Sequence, residues 1–256
     1  MTTGIIVQAR TGSTRLPGKV LARVMGRPLL AWQIERLQRS RLADRIVIAT
    51  TRSPADYEIA RLAITMGCDF FLGSEDDVLS RYIGAARMVG ADVVIRSTAD
   101  CPVIDPAYLD LLIAQFGDAE YGWLGDHPGG IPNGMGAEAI RLSTLEAIYP
   151  HTTADEREHV TLYVRRRPTE FRMMHVETGL GLDDERWTVD TAEDLELIRR
   201  IIEALHPLPF TLGDIKRLLA ANPGWRAINA GVPLGLIERE HMSRYARDFQ
   251  PLRGDL

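Results

Sequence analysis

The chain has 256 residues, 45% hydrophobic and 25% charged, with 30 basic and 35 acidic side chains and a net charge of −5. That is the composition of a globular chain of one large domain or two small ones, which excludes the collagenous, disordered and disulfide-stapled classes. The acidic balance argues against nucleic acid or an anionic membrane as partner, and no stretch approaches the ~20 apolar residues that cross a bilayer. Met1-Thr2-Thr3-Gly4 lacks the basic start and long apolar run of a signal peptide, and Cys68 and Cys101 fit no metal spacing. The expected compartment is the cytoplasm.

Residues 4–9 (GIIVQA) form a short apolar run that predicts a buried strand, followed by a polar loop over 10–19 (RTGSTRLPGK). Gly26-Arg27-Pro28 starts a helix on which Leu29, Leu30, Ile34 and Leu37 recur at helical spacing. A strand over 45–50 comes next. Ser53-Pro54 is read as the cap of a helix carrying Ile59, Leu62, Ala63 and Met66, which Gly67 ends. The alternation continues with a strand at 69–72, a helix at 76–89, a strand at 91–97 and a helix at 106–116 capped by Asp105. Regular strand–helix alternation predicts an α/β fold with a mostly parallel sheet and helices on both faces.

From 121 to 177 the pattern breaks. Glycines and prolines mark a loop-rich inserted subregion, with helices expected at 142–148 and 153–166 and a strand at 171–176. A strand at 187–190 and a helix at 193–205, capped by Thr191, return to the main order. Beyond Pro207 and Pro209 one more helix is expected at 212–221. The organisation read from this is an α/β domain over 1–205 and a C-terminal helical appendage over 206–256.

The loop after the first strand has the composition of a polyphosphate cradle. Arg10, Arg15 and Lys19 can neutralise an anion, and Gly12 and Gly18 let backbone N–H groups approach it. An ordinary polar turn with solvated cations has the same composition. The spacing excludes GxxxxGK[ST], because Val20 follows Lys19, and no GxGxxG is present. Asp100 and Asp190 each stand at the end of an expected strand, where an aspartate serves either as a metal ligand or as a turn or helix cap. Cys101, with no histidine near it, reads as a small packed residue. The run Arg165-Arg166-Arg167 reads as a solvated helix end.

Gln8-Ala9-Arg10-Thr11-Gly12-Ser13-Thr14-Arg15-Leu16-Pro17-Gly18-Lys19 closely resembles the opening signature of the cytidylyltransferases that make CMP-activated acidic sugars. The 3-deoxy-manno-octulosonate and acylneuraminate enzymes belong there, and the spore-coat polysaccharide biosynthesis branch is most similar to this sequence. Residues 73–82 (GSEDDVLSRY), 98–106 (TADCPVIDP), 156–161 (EREHVT) and 187–195 (WTVDTAEDL) resemble further segments of that branch. The resemblance implies a nucleotide-diphospho-sugar transferase-like, Rossmann-like fold. It implies Mg2+ on Asp100 and Asp190, with Lys19, Arg15 and Asp100 as catalytic groups. The implied nucleotide site comprises Gln8, Ala9, Arg10, Gly12, Ser13, Arg15, Lys19, Ser80, Arg81, Thr98 and Ala99. Ser80 and Arg81 equally suit a helix start capped by Ser74.

On the acceptor side the resemblance points to Asn133, Glu138, Glu158 and His159. Here the sequence departs from the family, because Asn133 and Gly136 replace the usual arginine and aspartate of the 133–138 stretch. A lone histidine on a helix also has an ordinary structural reading. The implied activity is CMP transfer from CTP to a small anionic acceptor, with release of pyrophosphate, by a homodimer. Three alternatives stay open: a phosphonate or phosphate acceptor, a sugar-1-phosphate nucleotidylyltransferase using another nucleotide, and a catalytically silent nucleotide-binding subunit.

Overall fold

The computed structural model describes residues 1–125, 130–207 and 209–233. The first strand, β1 (Thr3–Gln8), turns Ile5 and Val7 to one side and Ile6 to the other, and all three are fully buried. A strand with no solvated face must be covered by helices on both sides. After it come a small hairpin, β2 (Arg23–Val24) and β3 (Arg27–Pro28), then α1 (Leu29–Leu37), β4 (Arg45–Thr51), α2 (Tyr57–Thr65) and β5 (Asp69–Gly73). The middle of the chain supplies α3 (Val78–Val89), β6 (Val93–Thr98), α4 (Pro106–Phe116), β7 (Tyr121–Leu124), β8 (Ala137–Arg141) and α5 (Leu142–Ile148). The remainder supplies α6 (Ala154–Glu158), α7 (Leu162–Arg165), β9 (Met173–Val176), α8 (Ala192–Leu205), α9 (Leu212–Ala221) and a 3-10 segment, Pro223–Ile228.

Seven strands form one sheet in the order β5-β4-β1-β6-β8-β7-β9, and β8 alone runs antiparallel to its neighbours. One face is covered by α1, α2, α4, α8 and α9, the other by α3, α5 and α7. The mostly parallel α/β architecture expected from the alternation is therefore present. No helix among the described residues is long and apolar enough to cross a membrane.

The backbone departs from the sequence reading in the following places. Residues 121–177 are more than a loop-rich insertion, since β7, β8 and β9 complete the main sheet. β9 matches the strand expected at 171–176, whereas β7 and β8 were not expected. At Gly122 the Met174 side chain packs directly over the strand, where a Cβ would lie 2.4 Å from its sulfur. The helix expected over 153–166 is split into α6 and α7 at Val160, whose φ of 37° breaks the helical path. Residues 187–190 are not a strand; Asn133 and Arg186 make only an isolated parallel bridge. The N-cap position of α2 is Asp56, and Ser53 instead precedes a 3-10 turn.

The C-terminal region packs on the main body as far as it is described. Phe210 lies under the Arg36 guanidinium at 4.1 Å, and Leu212, Ile215 and Leu219 are buried in the larger core. Asp105 caps α4 as expected, accepting from Ala107 N at 3.1 Å, and its other oxygen accepts from Leu212 N at 2.7 Å. Residues 234–256 of the appendage lie outside the described residues.

Candidate active site

Adjacent parallel strands deliver their following loops to the same edge of a sheet. β1 and β6 are such neighbours, and Ala99 N donates to Gln8 O at 3.1 Å where they end. The loop after β1 is tied down by Asp56, whose Oδ1 accepts from Thr11 N at 2.7 Å and Thr11 Oγ1 at 2.6 Å. Thr51 Oγ1 donates to the other Asp56 oxygen at 2.5 Å. Within the loop, the N–H groups of Ser13 and Gly18 both donate to Thr11 O at 2.9 Å. Gly18 takes a φ of 70°, which suits glycine and turns the chain into the short helical segment that presents Lys19.

The Lys19 ammonium donates to Asp100 Oδ2 at 2.9 Å, Asp190 Oδ1 at 2.8 Å and Val189 O at 2.8 Å. Asp100 sits in the turn after β6 and accepts on Oδ1 from Thr98 Oγ1 at 2.5 Å. Its carbonyl accepts from Val189 N at 2.8 Å and Thr188 Oγ1 at 3.1 Å, which binds the 187–190 segment to the end of β6. Gly134, with φ of 95°, lies so close beneath that segment that a Cβ would stand 2.5 Å from Thr188 N. Asp190 turns its second oxygen to Arg186 Nη2 at 2.6 Å and Arg15 Nη2 at 3.0 Å.

Opposing effects set the charges here. Burial disfavours the Lys19 ammonium, but Asp100 and Asp190 outweigh it and raise its pKa above the usual lysine value. Burial likewise pushes Asp190 up, and Lys19, Arg186 and Arg15 overcome this and hold it below the usual aspartate value. Lys19 and Asp190 are therefore both ionised at neutral pH.

The Cytidylyltransferase family model matches residues 4–210. The chain belongs to the cytidylyltransferase family. It is 33% identical over 232 residues to the spore coat polysaccharide biosynthesis protein SpsF of Bacillus subtilis, covering 85% of this chain and 94% of that one. It is 39% identical over 114 residues to the 3-deoxy-manno-octulosonate cytidylyltransferase of Chlorobaculum tepidum, covering 44% of each. A solved cytidylyltransferase from Leptospira borgpetersenii superposes with a TM-score of 0.84 at 30% identity, covering 92% of this chain and 99% of that one. The fold is accordingly the nucleotide-diphospho-sugar transferase-like, Rossmann-like one, and the chain is a nucleotidyltransferase of this family.

Among the residues expected to serve this cytidylyltransferase, Arg15, Lys19, Thr98, Asp100 and Asp190 come together as described. Gln8, Ala9, Gly12, Ser13 and Ala99 line the same sheet edge or its loop, and Gln8 Oε1 is buried without a hydrogen-bond partner. Arg10 is half-buried and lies 3.6 Å from Glu75. Ser80 is accounted for by the start of α3, where its N–H donates to Asp77 Oδ1 and its hydroxyl to Asp77 O, both at 2.8 Å. The cap of that helix is Asp77, not Ser74. Arg81 does not reach outward: it is 2% exposed and donates to Ser74 O at 2.6 Å, bracing the loop from beneath.

The acceptor-side expectations divide. Both oxygens of Glu138 are engaged inside the protein, by Arg96 Nη1 at 2.6 Å and by Tyr121 OH and Thr161 Oγ1 at 2.5 and 2.7 Å. This saturated carboxylate is a structural charge, contrary to its expected contact with the acceptor. Asn133 acts through its backbone, accepting from Trp187 N at 2.7 Å. Glu158 is exposed, and His159 is the half-exposed C-cap of α6, 3.9 Å from Asp155. The arginine run does end α7, and Arg166 is exposed, but all three guanidiniums lie near carboxylates. Arg165 is mostly buried 3.8 Å from Glu138, Arg166 pairs with Asp155 at 3.1 Å, and Arg167 pairs with Glu156 at 3.0 Å and lies over Tyr163.

Sequence reasoning passed over Asp56, Arg96, Arg186 and Asp194. Of these, Asp194 lies within the resembled 187–195 segment and Arg186 stands one residue before it. Cys101 is a packed residue as expected, and burial together with the Asp100 charge pushes its thiol well above the ordinary value. A thiol reagent at pH 8 should leave Cys101 unmodified in the native protein and label it only on unfolding. Rapid native labelling of Cys101, read by peptide mass, would contradict that placement.

Proposed function

We propose that this chain transfers CMP from CTP to an oxygen of a small anionic acceptor, an acidic sugar or related compound, with Mg2+ as its metal. The observation that carries the reading is the convergence of Lys19 and Arg15 with Asp100 and Asp190 where the loop after β1 meets the end of β6. One ammonium lies within 2.9 Å of an oxygen from each carboxylate, so both aspartates present an oxygen to the same small cation. Two carboxylates completed by phosphate oxygens and water are the donor set that Mg2+ takes. The residues present therefore fit the metal, with Asp100 and Asp190 as its ligands. Bound there, it neutralises phosphate charge and polarises the α-phosphate.

The acceptor oxygen attacks the α-phosphorus, the bond to the bridging oxygen of the β-phosphate breaks, and pyrophosphate leaves. Lys19 and Arg15 would take up charge on the triphosphate and on the departing pyrophosphate, with Arg10 at the loop's start adding a third cation. Holding nucleotide and acceptor in line supplies the proximity term. Exposed Glu158 and half-exposed Asn133 and His159 are the acceptor-side candidates that remain open to solvent. Family membership and the names of the relatives support CTP and an acidic-sugar acceptor. A cytoplasmic homodimer goes with this reading.

Thermal unfolding with CTP, UTP, GTP and ATP, each with and without Mg2+, tests it. A ligand at 100 times its Kd stabilises by ~2.7 kcal/mol, which shifts Tm by roughly 5–10 °C in a domain of this size. The expected result is a shift selective for CTP and dependent on Mg2+, followed by pyrophosphate release with acidic sugars. Release with phosphonates or phosphates alone would replace the acceptor class. Equal shifts with all four nucleotides would remove the base assignment. No shift with any would point to a silent subunit.

A further inference from the structure

Asp190 stands in a segment that belongs to no strand, so a hydrogen-bonded ladder does not orient its carboxylate. What holds it lies behind it. Arg186 Nη2 donates to Asp190 Oδ2 at 2.6 Å, and Arg186 is itself gripped by Asp194, with Nε to Oδ1 at 2.9 Å and Nη2 to Oδ2 at 3.1 Å. Asp194 also accepts the backbone N–H of Asp190 at 2.9 Å and of Thr191 at 3.1 Å. Its side chain is fully buried, so this carboxylate persists only because its oxygens are occupied.

The last occupant comes from the far end of the chain. Asn229, 5% exposed, follows the 3-10 segment and uses its amide group twice, donating to Asp194 Oδ1 and to Arg186 O, both at 2.9 Å. From the same segment Arg226 pairs with Glu185, so the C-terminal region meets the 185–194 segment at two points. We infer that Asn229 is a positioning residue: it locks the Arg186–Asp194 pair and so fixes the direction in which Asp190 presents its carboxylate. The 3-10 segment and Asn229 after it are then a working part of the nucleotidyl-transfer site. This rests on the proposed role of Asp190 as a metal ligand.

Outer partners that orient a metal ligand typically change metal affinity by ~10–100-fold when removed, and one further step back the effect is smaller. The test uses the full chain and measures Mn2+ binding from the free-Mn2+ resonance signal, with saturating CTP, no acceptor and a CTP-only blank. Asn229→Ala should weaken Mn2+ binding by at least ~5-fold, somewhat below that range because it acts one step further back. In turnover assays it should raise the half-saturating metal concentration by a similar factor and leave kcat at saturating metal within ~2-fold. Asn229→Asp, which sets a carboxylate against Asp194, should bind still more weakly, and Asn229→Ser, which keeps one donor, should recover part of the loss.

Asn222→Ala controls for general loosening, because Asn222 lies in the same region and its side-chain amide donates to Leu218 O, at 2.9 Å, away from the 185–194 segment. Native Mn2+ affinity in folded Asn229→Ala, or an equal loss in Asn222→Ala, overturns the positioning role. Asp190→Asn separates this from the underlying reading. If Asp190→Asn keeps native Mn2+ affinity, the ligand assignment fails; if it loses affinity while Asn229→Ala and Asn229→Asp do not, only the positioning role fails.

Discussion

Replacing Asp100 with asparagine should lower turnover at least ~10²-fold while leaving the fold intact, the scale expected when a charge-stabilising group is removed from a transfer site. The fold survives because Lys19 keeps Asp190 and the Val189 carbonyl as acceptors, and because the Asp100 carbonyl, which holds the 187–190 segment, is untouched. Activity falls because the site loses one of the two carboxylates that converge on the cation position. Lys19→Met should lose turnover to a comparable degree through the opposite charge. Steady-state assays of pyrophosphate release, with Tm measured on the same samples, check both. Native turnover in Asp100→Asn would sink the proposed metal assignment.

The second large effect concerns stability. Glu138 is buried between Arg96 and Arg165, and replacing it with leucine leaves two guanidiniums without their shared carboxylate. Breaking a buried ion pair by removing one partner costs about 3–5 kcal/mol. For a domain of this size the drop in Tm is roughly 6–20 °C. The same residue shapes the acid limb. Burial alone would raise its pKa, but Arg96, Arg165, Tyr121 and Thr161 bring it from 4.5 down to about 2. A carboxylate whose pKa is depressed in the folded state stabilises the protein above its unfolded pKa. That contribution, about 3 kcal/mol from the size of the depression, is lost as pH falls from 4.5 towards 2. Denaturant unfolding across that range should show a steep acid loss in the native protein and a flatter one in Glu138→Leu. Equal slopes would contradict the assignment.

Both residues also mark how far a linear reading reaches. Asp100 was found because it follows a strongly apolar strand in a segment resembling a known family. Glu138 was found by the same resemblance and given the wrong task. An acid in a glycine-rich stretch looks available to a ligand until the strand that carries it is seen paired with β6 and β7, which set Arg96 and Tyr121 against it. Arg81 failed in the same way: its neighbours suggested a ligand contact, whereas packing against Gly73 turns it inward. Asp190 meets Lys19 beside Asp100, but the strand expected to lead to it is absent.

The alternation of apolar strands and amphipathic helices, the loop over 10–19 and the two aspartates were all determined by the sequence itself. Each is expressed over a few contiguous residues, through side-chain periodicity, turn chemistry or a motif. Tertiary structure alone decided that residues 121–177 complete the sheet, that Glu138 is sealed between arginines, and that Asn229 backs Arg186 and Asp194. Those facts depend on pairings between residues far apart in the chain. Such pairings arise when short strands find partners and buried charges find counter-charges, and neither leaves a local periodicity to read.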